Sequence, residues 1–218
     1  MELRYIPPLK ARYEKVIIHQ RLRDVLRKRG IERFFSHQVE AIDLIRKGEN
    51  IVVMTPTASG KSLIYNIPVI ESVIENPANK ALYIFPLKGL EQDQVRNLNG
   101  ILEDIGLHLP LVKVEAEGNI KRGLSIMPAE IYDGDTTPYR RKKIREAVPS
   151  VIFTNPDMLH LALNPFHRKW ESLFKNLRYI VIDEIHTYRG VFGSNVAHVI
   201  RRLRRICNYW GADPQFIA

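Results

Sequence analysis

Short apolar runs recur along the chain at Ile51 to Met54, Ala81 to Phe85, Val151 to Phe153 and Tyr179 to Ile182, and each leads into polar residues and a helical segment. Runs this compact, rich in β-branched residues, read as buried strands. Strands that alternate with helices imply an α/β fold in which a parallel sheet carries helices on both faces. Ligands in such sheets collect at the carboxyl ends of the strands, so chemistry is to be sought in the residues just after each run.

The flanking stretches are less regular. Residues 1 to 20 carry Pro7, Pro8 and mixed charges, which suits a strap across the domain better than a core element. Leu22, Val25 and Leu26 give a short amphipathic helix ending at Gly30, and Val39, Ile42 and Ile45 give a second that stops at Gly48. Leu109 to Met127 reads as a hairpin or loop insertion. A chain of 218 residues fits one large domain better than two small ones. The expected organisation is an N-terminal extension and helix over 1–30, then one α/β unit over 31–218.

Lysines and arginines exceed aspartates and glutamates by 33 − 24 = 9, which fits a polyanionic partner such as nucleic acid. An evenly solvated basic surface would have the same composition. The single cysteine, Cys207, excludes an internal disulfide and a multi-cysteine zinc site, and points to a reducing, cytoplasmic setting. No apolar run approaches the roughly 20 residues of a membrane span, and Met1 to Lys10 lacks a signal-peptide core, so no membrane partner is expected.

Directly after the first run stands Thr55-Pro56-Thr57-Ala58-Ser59-Gly60-Lys61-Ser62, with a helix expected from about Gly60. A loop between a strand and a helix aims backbone N–H groups and the positive end of the helix dipole at one point, as a triphosphate requires. Thr57, Ala58, Ser59 and Gly60 would cradle the phosphates. Lys61 would reach the β- and γ-phosphates, and Ser62 would ligate magnesium. Thr55 stands where the strict pattern has Gly. The competing reading is an ordinary strand-to-helix turn capped by Ser59.

The run Tyr179 to Ile182 leads straight into Asp183-Glu184-Ile185-His186. Phosphoryl transfer to water needs one carboxylate for the magnesium shell and a second group to orient or deprotonate the water. Asp183 is the expected metal residue and Glu184 the base. Two solvated acids at a strand end are the alternative. His186 lacks a second His or Cys at zinc-like spacing, which favours a hydrogen-bonding, coupling role.

With these residues in order, the chain resembles superfamily 2 helicases, Asp183-Glu184-Ile185-His186 matching the DExH form of their second motif. In that family the opening position of the phosphate loop is often not Gly, in keeping with Thr55. His37-Gln38 after Phe34-Phe35 looks like the upstream element whose glutamine, here Gln38, reads the adenine edge. Phe85-Pro86-Leu87-Lys88-Gly89-Leu90 followed by Gln92-Asp93-Gln94 resembles motif Ia, although Leu87 and Gly89 stand where the family usually has Thr and Ala. Tyr132-Asp133-Gly134-Asp135-Thr136 and Thr154-Asn155-Pro156-Asp157-Met158-Leu159 resemble the next two segments that face nucleic acid. The block from Asp183 to Ser194, followed by Arg201 to Cys207, is similar to the branch related to RecQ4, the YprA and Hrq1 family.

The resemblance covers roughly 31 to 218. It implies the RecA-like form of the P-loop NTPase fold and an ATP- and magnesium-dependent motor moving 3′ to 5′ on single-stranded DNA, in repair or processing. It also implies a second RecA-like domain. Gln215 to Ala218 reads as a strand that in the family continues into a Ser-Ala-Thr motif, so the chain is expected to be the first RecA-like domain alone, truncated before motif III.

Small and amide residues at Gly134, Asp135, Thr136, Thr154 and Asn155 suit contacts to phosphates, with Lys88 as an added point charge, and such contacts carry no sequence information. Polar turn residues that merely cap helices are the alternative. On a helix expected from about Asn195 to Asn208, Val196, Val199, Ile200, Leu203 and Cys207 share one face, and Arg201, Arg202, Arg204 and Arg205 read as its solvated side rather than as DNA contacts. An RNA helicase core, a phosphotransferase with a small acceptor and a non-catalytic ATP-binding module are the competing functions. A phosphotransferase would usually add an arginine-bearing lid and would not need Asp-Glu followed by His.

Overall fold

The computed structural model describes residues 12–55, 60–86, 88–107 and 126–218, with the backbone alone at 88–90. A small antiparallel pair, β1 (Tyr13–Glu14) on β2 (Phe34–Phe35), opens it. The central sheet comprises β3 (Lys80–Ile84), β4 (Ala129–Ile131), β5 (Val151–Thr154), β6 (Leu177–Ile182) and β7 (Gln215–Ile217). Its order is β4-β5-β3-β6-β7, and every neighbouring pair is parallel.

Side chains alternate across this sheet because a strand's period is two. Ala81, Tyr83 and Phe85 pack with α1 (Gln20–Lys28), α2 (Ser36–Arg46), α3 (Lys61–Glu75) and α4 (Lys88–Ile105) on one face. Leu82 and Ile84 pack on the other face beneath α5 (Pro138–Ala147), α6 (Pro156–Met158), α7 (Glu171–Lys175) and α8 (Gly190–Tyr209). The expected α/β arrangement with helices on both faces is thus present. Leu22, Val25 and Leu26 of α1 belong to the same apolar cluster as the sheet. The described part of the strap is tied down by the His19 N–H to Glu71 (2.8 Å) and by Arg46 to the Ile17 carbonyl (2.7 Å).

Two expectations are corrected. Ile51 to Met54 is not a buried strand: it makes one bridge, Ile51 to Ile217, and Val52 and Met54 are 63% and 91% exposed. The segment lies beside β7 at the edge of the described sheet. Ile51 and Val53 pack inward there, while the alternate side chains face outward with no covering layer among the described residues. The helix expected from about Asn195 begins earlier, at Gly190, because the chain leaves the acid pair through a tight turn in which Gly193 lies against the Tyr188 carbonyl. A Cβ at 193 would collide with that backbone. Among the described residues, no helix is long and apolar enough to cross a membrane.

Candidate nucleotide and nucleic-acid sites

Strand β6 delivers Asp183 to the sheet's carboxyl edge, where its N–H still donates to the Ile84 carbonyl of β3 (3.0 Å). Helix α3 starts beside it at Lys61, directly after Gly60 at φ +75°. Thr55, Lys61, Asp183, Glu184 and His186 line one cleft of about 400 Å³. Sequence separates these groups by more than a hundred positions, and the parallel sheet brings them to one edge.

The Asp183 carboxylate accepts from the Glu184 N–H (2.9 Å) and the Tyr65 hydroxyl (3.3 Å). Burial pushes its pKa above the usual carboxylate range, and the bond from the Glu184 N–H, that from Tyr65 and the charge of Lys61 pull it back. Tyr65 is held well above its usual value by burial and by the adjacent Asp183, and its hydroxyl also meets the Ser62 side chain. Tyr65 was missed in the sequence. The available signal was helical spacing, since positions three and four after Ser62 and Lys61 share their face. A part-buried carboxylate and a serine hydroxyl that both meet Tyr65 are an oxygen donor set that fits magnesium, which takes few protein ligands and completes its shell with water and phosphate.

Glu184 adopts φ 49°, ψ 41°, a left-handed conformation that costs a non-glycine residue about 1–2 kcal/mol. A 3₁₀ turn, Ile185–Thr187, follows, and the Thr187 hydroxyl donates back to the Glu184 carbonyl (2.9 Å). The turn sets His186 Nδ1 3.1 Å from Glu184 Oε2.

Gln38 is 2% exposed and bridges two segments: its Oε1 accepts from the Phe35 N–H (2.9 Å) and its Nε2 donates to the Gly60 carbonyl (3.0 Å). It therefore pins the turn into α3. One amide proton and one lone pair remain for a base edge. A Cβ at Gly60 would stand 2.5 Å from that Nε2, which adds a steric reason for glycine to the positive φ. Phe35 stacks on Tyr13 and His37, with ring centroids 5.0 and 5.6 Å apart, as an aromatic ledge beside Gln38. Thr57, Ala58, Ser59, the Lys88 side chain and most of the expected insertion at 109–127 lie outside the described residues.

The other two segments are built differently. Asp133 Oδ1 accepts from the N–H of Asp135 (3.0 Å), the N–H of Thr136 (2.8 Å) and the Thr136 hydroxyl (2.7 Å), while Arg141 donates to the carbonyls of Asp133 and Gly134. Thr154 is fully buried and donates to the Tyr132 carbonyl (2.8 Å). Asn155 caps α6 by accepting from the Met158 N–H (2.9 Å). The side chains of Thr136, Thr154 and Asn155 are thus occupied in holding the loops. A ligand at these positions would meet backbone groups and turn tips.

The model of the DEAD/DEAH box helicase family matches residues 35–217. An uncharacterized ATP-dependent helicase of Bacillus subtilis, YprA, is 50% identical over 92% of this chain and 24% of its own length. The ATP-dependent helicase HRQ1 of Saccharomyces cerevisiae is 39% identical over 98% of this chain and 18% of its own. Among solved structures, the helicase MrfA bound to DNA and AMPPNP superposes with a TM-score of 0.86 at 48% identity, over 97% of this chain and 27% of that one. The chain spans between 18% and 27% of the length of each of these relatives. With the phosphate-loop turn and the acid pair facing one cleft and the family match running over nearly all of the sheet, the chain belongs to the DEAD/DEAH box helicases.

Proposed function

We propose that this chain is the ATP-binding motor domain of an ATP-dependent DNA helicase. The observation that carries the proposal is the convergence of Lys61, Asp183 and Glu184 on one cleft at the carboxyl ends of parallel strands. Lys61 meets the β- and γ-phosphates. Ser62 and Asp183 would hold magnesium, which would supply charge neutralisation at the transferred phosphoryl group. Glu184 orients and deprotonates the attacking water, and its pairing with His186 joins the base to the chain that leads into α8. Gln38 reads the adenine edge while bracing the phosphate-loop turn.

The nucleic acid is DNA, a choice supported by the DNA bound to the MrfA relative, and it crosses as a single strand over Gly134, Asp135, Thr136, Thr154 and Asn155, with Lys88 beside them. A second RecA-like domain completes the motor and supplies an arginine worth about 10³ to 10⁵ in rate. Titration of the 218-residue chain with magnesium–ATP, beside a steady-state ATPase assay with and without single-stranded DNA, tests the proposal. Measurable binding with little DNA-stimulated turnover is expected. Absence of nucleotide binding overturns the site assignment, and robust stimulated turnover overturns the need for a second domain.

A further inference from the structure

Apart from the nucleotide cleft, a groove of about 1170 Å³ runs along α8. Arg201, Arg202, Arg204 and Arg205, expected to be a plain solvated face, all line it and are all exposed. None of their guanidinium groups makes a hydrogen bond or ion pair with a described residue, and Asp157 is the one carboxylate among the lining groups. Arg201 stands one helical turn from both Arg204 and Arg205, so three like charges lie close together in a groove that holds a single carboxylate.

Two further features point to what relieves that charge. The opposite wall is formed by Pro156, Asp157 and His160, which follow Thr154 and Asn155 without a break, so the groove continues the edge where nucleic acid is placed above. Near the start of α8, Phe192 lies in the lining with 48% of its surface exposed. From Phe192 to Asn208 the helix extends about 24 Å at roughly 1.5 Å per residue. Phe192 packs against Tyr188 at 5.7 Å between ring centroids and stays half exposed, and guanidinium groups farther along the same groove as such a ring are the chemistry that holds an unpaired strand: phosphates on the cations, a base on the ring. A duplex keeps its bases stacked on one another and would leave the ring unused.

We propose that this groove is a second binding tract for single-stranded nucleic acid, with the sugar-phosphate backbone on Arg201, Arg204 and Arg205 and a base on Phe192. The proposal rests on the reading that nucleic acid crosses residues 134–136 and 154–155, and it extends that path along α8. Fluorescence anisotropy of a labelled single-stranded oligonucleotide, measured with the 218-residue chain over a range of salt, tests it. Replacing Arg201, Arg204 and Arg205 together by Ala is expected to weaken binding and to reduce the slope of log affinity against log salt by about 2, at roughly 0.7 per phosphate contact. Phe192→Ala is expected to weaken binding about fivefold or more with the slope unchanged. Arg21, Arg27 and Lys28 of α1, replaced together by Ala, remove equal charge elsewhere and should leave the slope unaltered. No binding by the unaltered chain overturns this tract together with the nucleic-acid reading. Binding that survives the triple change at α8 with its slope intact overturns the tract alone, as does competition by polyglutamate or duplex as effective as that by single strand.

Discussion

Two loops at the same edge of the sheet, the acid-pair cleft and the Asp133 to Thr136 turn, use their polar groups in opposite ways. In the turn, one carboxylate oxygen collects three hydrogen bonds and an arginine closes over two carbonyls. In the cleft, Lys61 makes no hydrogen bond to a described residue, Asp183 is driven toward its neutral form by burial, and Glu184 sits in a strained left-handed conformation. Groups committed to one another give a rigid platform. Groups left strained or poorly solvated hold binding energy for a ligand, which is why strain collects at functional sites.

The contrast can be broken most forcefully at Glu184. In the full-length protein, Glu184→Gln should preserve magnesium–ATP affinity and slow hydrolysis by about 10² to 10⁴, the usual contribution of a general base. Single-turnover ATP hydrolysis measures it, and normal turnover would make the acid a structural residue. Lys61→Ala comes next. It removes charged hydrogen bonds worth about 1.5–3 kcal/mol, so nucleotide affinity in a calorimetric titration should fall roughly 10- to 150-fold while the melting temperature stays close to that of the unaltered chain.

The turn should respond the other way. Asp133→Ala deletes three bonds to one buried carboxylate, and denaturant unfolding should show a loss of about 2–3 kcal/mol with little change in nucleotide affinity. Gly60→Ala tests the seam between rigidity and function. The left-handed φ and the encounter with Gln38 should cost about 1–2 kcal/mol in stability and weaken nucleotide binding as well, because the phosphate-loop turn must shift.

The smallest effect is a pH dependence. Because the folded pKa of Asp183 is raised, the native state holds this proton more tightly than the unfolded chain does. Its contribution to stability therefore falls as pH climbs from the ordinary carboxylate value through the raised one, and is constant above it. Magnesium competes with the same proton, so metal affinity should rise over that window. Asp183→Asn should flatten both curves, as followed by thermal melts and by metal titration, and a slope that survives the change would place the titration elsewhere.

Much of this was legible in the chain because it rests on local physics. The apolar runs at 81–85, 151–153 and 179–182, the helix stops at Gly30 and Gly48, and the order of loop and acid pair are written in periodicity and turn residues. The Ile51 to Met54 run misled because apolar composition does not say how many neighbours a strand has, and this one has β7 on a single side. Tyr65 and the Gln38 bond to Gly60 escaped because they depend on distances across the fold. The sequence by itself determined three of the central strands, the α/β alternation and the residue inventory of the proposed phosphate site, since propensity and patterning act between near neighbours. Only the tertiary structure decided that Thr154 and Asn155 serve their own loops and that the α8 arginines border a groove running on from them, because burial and unpaired charge follow from which surfaces the folded chain brings together.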